Sequence, residues 1–184
     1  AFTIVEAMVV VLVVGILATL SVGGYKKYMA KTMIANAISG ARPMQKGIED
    51  FYQQQGYFPG TNDLLPYVPG ATMNSGYPYY DGPNSDYSVW LWSWVSNCTP
   101  NTTGCDDLGI SSYPRGIYIS FDTPSYGGTY LNGIAIALIA NVTNGGINWL
   151  CMPYSWSGSS TLAADGVTPM ATLLPAGCHN AALD

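Results

Sequence analysis

The chain has 184 residues, 48% of them hydrophobic and only 9% charged, with a formal net charge of −5. That length suits one sizeable core, and a sparse, acidic charge is a poor match for nucleic-acid phosphates. The lysines Lys26, Lys27, Lys31 and Lys46 and the arginine Arg42 crowd one short stretch, and the only later cation is Arg115.

The opening segment, AFTIVEAMVVVLVVGILATLSVGGY, is an almost unbroken apolar run with one carboxylate, Glu6, near its start. An acid in apolar surroundings is costly unless something neutralises it. No Lys or Arg precedes the run, so the basic flank of a secretory signal is missing, and the segment is expected to belong to the mature protein. Residues 26–55 then carry Met29, Met33, Ile34, Ala37, Ile38, Ala41, Met44, Ile48, Phe51 and Tyr52 at helical spacing, one apolar stripe on a long amphipathic helix. Gly15, Gly23 and Gly24 weaken that helix by roughly 1 kcal/mol each relative to alanine. Pro43 is expected to kink or break it near Gly40 to Arg42. Gly56 with the following Tyr57-Phe58-Pro59-Gly60 ends it.

Beyond residue 60, PYVPGATMNSGYPYYDGPNSDY reads as loop, too rich in Pro, Gly and Asn for regular structure. Strands are expected at Ser88 to Val95, Gly116 to Phe121, Ile134 to Ala140 and Ile147 to Met152, with Asn144-Gly145-Gly146 as the turn of an antiparallel hairpin. The IAIALIA run is equally compatible with a short buried helix. Alternation in Trp90, Trp92 and Trp94 places three indoles on one strand face, and core or interface packing is their expected role, ahead of sugar binding or electron conduction.

Cys98, Cys105, Cys151 and Cys178 form an even set in a turn-rich region, read as two structural disulfides in an oxidising compartment. Three pairings are possible; local closure favours Cys98 with Cys105 and Cys151 with Cys178. No C-x-x-C pair exists and His179 has no second imidazole beside it, so a metal centre or attached haem is not supported and no cofactor is expected. The acidic turns at Asp81, Asn84, Asp86 and at Asp106-Asp107 do not follow calcium-loop spacing. The sequons at Asn97, Asn101 and Asn141 are read as coincidental. One histidine without a neighbouring acid gives no nucleophile-base-orienter set, so the chain is not expected to be an enzyme.

The pattern amounts to an α+β architecture: a long N-terminal helical spine packed on a C-terminal antiparallel sheet. Its expected parts are 1–25, an apolar helix for membrane or fibre core; 26–58, the amphipathic half of the spine; and 59–184, a globular head. The apolar half has nothing in its own chain to pack on, so lipid or copies of itself must cover it. In an open helical array of copies, the nearest cation for Glu6 is the α-amino group of a neighbouring subunit.

The segment FTIVEAMVVVLVVGILATLSVGGYKKY, continued by KGIEDFYQQQGYFP, closely resembles the spine of type IV pilins and their pseudopilin relatives. Its features are the F-T-x-x-E opening, the mid-run glycine, the Tyr25 and Tyr28 pair and the tyrosine, glycine and proline exit. The resemblance implies a non-enzymatic subunit cut from a precursor by a prepilin peptidase, N-methylated, and held in the inner membrane. Assembly machinery there would polymerise it into an extracellular pilus through Ala1, Phe2 and Glu6. Glu6 stands one residue further from the first residue than the family pattern, and Gly23 replaces a common proline. A helix partly melted between Gly15 and Gly24 in the fibre is the expected consequence. The resemblance also implies that a C-terminal bridge, here Cys151 with Cys178, bounds an exposed loop. Adhesion, twitching motility, DNA uptake and phage attachment are the roles it leaves open for the fibre. A type II secretion pseudopilin, or a minor tip pilin acting as adhesin or receptor, is the alternative.

Overall fold

A computed structural model describes residues 3–92, 116–121, 128–143, 146–154, 162–176 and 178. The element order is α1 (Ile4–Gly40), α2 (Arg42–Gln55), β1 (Thr72–Asn74), β2 (Tyr77–Asp81), β3 (Ser88–Trp92), β4 (Gly116–Phe121), α3 (Gly128–Leu131), β5 (Ile134–Thr143) and β6 (Gly146–Tyr154). All six strands form one antiparallel sheet in the order β1-β2-β3-β4-β5-β6, each paired with its neighbour in sequence. The long helix with an antiparallel sheet is the α+β arrangement expected from the pattern.

Helix α1 starts on a capping box: Thr3 Oγ1 accepts from the Glu6 N–H, and the Glu6 side chain reaches back to the Thr3 N–H. The chain stays helical through Gly15, Gly23 and Gly24. Between α1 and α2 only Ala41 intervenes, still right-handed, and its N–H is shared between Ala37 O at 3.0 Å and Ile38 O at 3.3 Å. Pro43 lies in the first turn of α2, where its missing N–H costs least. Gly56, left-handed at φ 80°, closes α2 by donating its N–H to Tyr52 O at 2.8 Å.

The stripe read from spacing becomes the dry face. Ala30, Ile34, Ala37, Ala41, Met44 and Ile48 are all fully buried. They share one core with Val89 and Leu91 of β3, Ile117, Ile119 and Phe121 of β4, and Ile134, Ile136 and Leu138 of β5. The period-2 alternation of the strands thus aims one row at the helix. IAIALIA resolves as strand because both its faces are covered: Ala137 and Ile139 join a second buried cluster with Met152 on the sheet's other side. β5 and β6 pair antiparallel as far as Thr143↔Gly146; Asn144 and Gly145, expected in the turn, lie outside the described residues.

One expectation fails. The segment read as loop contains the β1–β2 hairpin, with Met73 opposite Pro78 and Tyr79 opposite Trp90 of β3. Proline is tolerated in a strand where its missing N–H faces no ladder partner, and the tyrosines between the turn residues gain cross-strand packing. Tyr79 stacks on Trp90 with ring centroids 4.7 Å apart. Trp94 and the rest of residues 93–115, Cys98 and Cys105 included, lie outside the described residues.

Cys151 on β6 and Cys178 are joined by a disulfide, with Cα atoms 4.5 Å apart across 27 residues of sequence. Both are buried in the main core. Cys151→Ser is expected to lower head stability by about 2–5 kcal/mol, read as a shift in the chemical denaturation midpoint; an unchanged midpoint would show that the bridge carries no stability.

Candidate assembly surface

From Ile4 to Leu17, and again at Val22, the large apolar side chains point into solvent: their exposure runs from 49% at Val13 to 80% at Ile4. Among the described residues nothing covers them, and the helix is long and apolar enough to cross a membrane by length and composition. At 1.5 Å per residue these 19 positions span about 28 Å, close to the roughly 30 Å of a bilayer's hydrocarbon core. Tyr25 and Tyr28, both exposed, and the lysines Lys26, Lys27 and Lys31 follow at the upper rim, where amphipathic side chains suit an interface with water.

Glu6 sits on this surface, exposed, among Val5, Val9 and Val10. Its carboxylate accepts from the Thr3 N–H at 2.9 Å and from the Thr3 hydroxyl at 2.8 Å. Glu6 is therefore hydrogen-bonded, and among the described residues no cation pairs with it. The signal was present in the sequence, since T-I-V-E is a capping-box spacing, yet attention to the charge alone misses it. Gly15, Gly23 and Gly24 open onto empty space, with no atom near where a Cβ would stand. Ala1 and Phe2 lie outside the described residues.

A second feature, absent from the sequence reading, fixes the spine to the head at its break. The Tyr80 hydroxyl on β2 donates to Gly40 O at 2.7 Å. One side chain of the sheet thus takes up a carbonyl at the end of α1, next to the junction with α2. Beside it the Tyr87 ring fills the space between Gly40 and Gly82, and a Cβ at either glycine would collide with that ring. Higher up, the Trp149 indole N–H on β6 donates to Glu49 Oε1 at 2.7 Å. Neither contact has a local signature, because each joins residues 40 or more positions apart.

No family-wide sequence model matches the chain. It is 34% identical over 61 residues to a fimbrial protein of Neisseria meningitidis serogroup B, a match covering 33% of this chain and 36% of that one. It is 29% identical over 76 residues to the fimbrial protein EcpC of Eikenella corrodens, covering 41% and 48%. It is 33% identical over 76 residues to the type IV major pilin protein PilE of Neisseria gonorrhoeae, covering 41% and 46%. The chain thus spans between about a third and a half of the length of these curated relatives.

Burial raises the Tyr80 phenol well above its ordinary value of 10.0, the Met44 N–H opposing this and the neighbouring Tyr87 adding to it. Burial, and then the charge of Asp86, push Tyr87 in the same direction. A raised acid is neutral in both folded and unfolded states below pH 10, so its contribution is intact there and is lost as pH climbs past the unfolded value. Head stability is expected to fall above about pH 10, and Tyr80→Phe to flatten that fall while costing about 0.5–1.5 kcal/mol at neutral pH. Denaturant titrations at pH 8 and pH 11 check both. Gly40→Ala gains about 1 kcal/mol of helix propensity but meets a wedged ring, and overpacking of about 1–3 kcal/mol is expected to leave it net destabilised in the same assay.

Proposed function

We propose that the chain is a type IV pilin, acting as a structural subunit that polymerises into an extracellular filament through its apolar N-terminal helix. The observation that carries this is the exposed aliphatic surface between Ile4 and Val22, attached to a head whose own core is complete. Each Val, Leu, Ile or Met side chain returns about 1.5–3 kcal/mol when fully buried. One helix-to-helix contact covering half of this surface would return on the order of 10 kcal/mol, about the size of the roughly 4–15 kcal/mol that association costs. A pair is therefore marginal, and an array in which each helix touches several neighbours is secure. Open helical stacking supplies such an array without closing it.

Before assembly the same surface would lie in the inner membrane, with the rim of Tyr25, Lys26, Lys27 and Tyr28 at the water boundary. In this reading residues 1–25 form the filament core, 26–58 the amphipathic half of the spine and 59–184 the outward-facing head. Glu6 would exchange its Thr3 contacts for the α-amino group of a neighbour's processed terminus, with Ala1 and Phe2 beside it. Gly15, Gly23 and Gly24, unhindered by side chains, would let the helix unwind where the packing asks for it. A prepilin peptidase and an inner-membrane assembly machine are the partners this route requires. Adhesion, twitching motility and DNA uptake are the roles such a fibre would serve. An acidic head suits the first two better than the third.

Glu6→Ala is expected to reduce filament recovery from the cell surface at least about tenfold, while the head keeps its denaturation midpoint and the chain still partitions into membranes. Losing a charge pair desolvated in the fibre is costly enough for that. Normal filament yield from this variant would remove Glu6 from the assembly mechanism.

A further inference from the structure

The spine carries Lys26, Lys27, Lys31, Arg42 and Lys46, and among the described residues none of them forms an ion pair within the subunit. Lys31, Arg42 and Lys46 are exposed. They share one flank, because eleven residues make three helical turns and four make slightly more than one. That flank lies across the helix from Met44, Ile48 and Phe51, which are buried against the head. It is the side of the spine left for other molecules.

The charge then changes sign abruptly. Glu49 and Asp50 follow Lys46 by three and four residues, both partly exposed. Glu49 is engaged by the Trp149 indole. Asp50 lies one turn above Lys46 on the same flank, yet the subunit does not pair them. A lysine placed N-terminal to its acid is the weaker orientation for such a pair on one helix.

Between copies the geometry is more favourable. A neighbour displaced along the spine by about four to five residues, roughly 6–8 Å, brings its Lys46 level with Asp50. Under the pairing proposed above, the same displacement brings the neighbour's Ala1 and Phe2, five and four positions before Glu6 in sequence, level with it. Charge pairs at opposite ends of the spine thus ask for one translation. A bend at Ala41 or a melted stretch near Gly23 does not alter this, because every copy carries it.

We infer that Lys46 of one copy pairs with Asp50 of the adjacent copy and forms a second register lock in the filament. The occupant of this flank is a second copy of the same chain, chosen by charge complementarity at the offset that Glu6 also needs. This rests on the filament reading above.

Wild-type filaments treated with a water-soluble carbodiimide, which joins an amine to a carboxylate in contact, test it by peptide mass spectrometry. A link within one chain gives a looped peptide; a link between copies gives two copies of the same peptide joined Lys46 to Asp50. The two-copy product is expected in filaments at a level at least about tenfold above that in detergent-dispersed subunits. Intact filaments in which Lys46 links only within its own chain, or only to other carboxylates, would overturn the inference and leave the filament reading standing. Filament preparations that do not contain this chain would bring down both, and that is seen before any cross-link is read. Independently, Lys46→Asp is expected to lower filament yield about tenfold through like charges facing each other, and Lys46→Asp with Asp50→Lys to restore it; unchanged yield in the single variant would also overturn the pairing.

Discussion

Every other feature of this molecule depends on an apolar helix that its own chain does not cover. A soluble protein does not normally leave a dozen large apolar side chains about half exposed or more on one element. Here such side chains run from Ile4 to Leu17, with Val22 beyond, on every side of the helix, and no described part of the chain covers them. The helix demands a different solvent or a different copy, and the roles of Glu6, the glycines and the lysine rim all follow from which of these covers it.

The spine has two halves because it has two partners. Below about Ala30 its environment lies outside the subunit; above it, the stripe from Ala30 to Phe51 is the floor of the head's core. A load passed along the spine must enter the head through their contacts. The Tyr80 hydroxyl at the α1–α2 junction, the Tyr87 ring between Gly40 and Gly82, and the Glu49–Trp149 hydrogen bond are the directional ones. The raised pKa of the Tyr80 and Tyr87 phenols reports the same enclosure: burial where helix and sheet meet disfavours their charged forms.

Local physics made much of this legible in the sequence. The helical period of Met33, Ile34, Ala37, Ala41, Met44 and Ile48 specifies a face, and the alternation of β4 and β5 specifies another, so the layered α+β arrangement follows from patterning. The β1–β2 hairpin escaped because Pro78 and the surrounding glycines and asparagines speak for turns, and only pairing with β3 supplies what propensity withholds. The Tyr80 and Tyr87 contacts escaped for a different reason: Gly40 reads as a weak point of a helix, whereas its lack of a side chain is what lets the Tyr87 ring approach. Thr3 was legible and overlooked, since the unusual charge of Glu6 drew the reading away from the ordinary hydrogen bonds that a helix start requires.

The central claim, that the Ile4–Val22 surface is buried against copies of itself, is tested most directly by electron cryo-microscopy of filaments sheared from cells that make this chain. The account predicts a fibre whose core is built from these helices, each touching several neighbours, with the heads outside. Filaments whose core is built from some other chain, with this one found only as separate copies in the membrane, would contradict it.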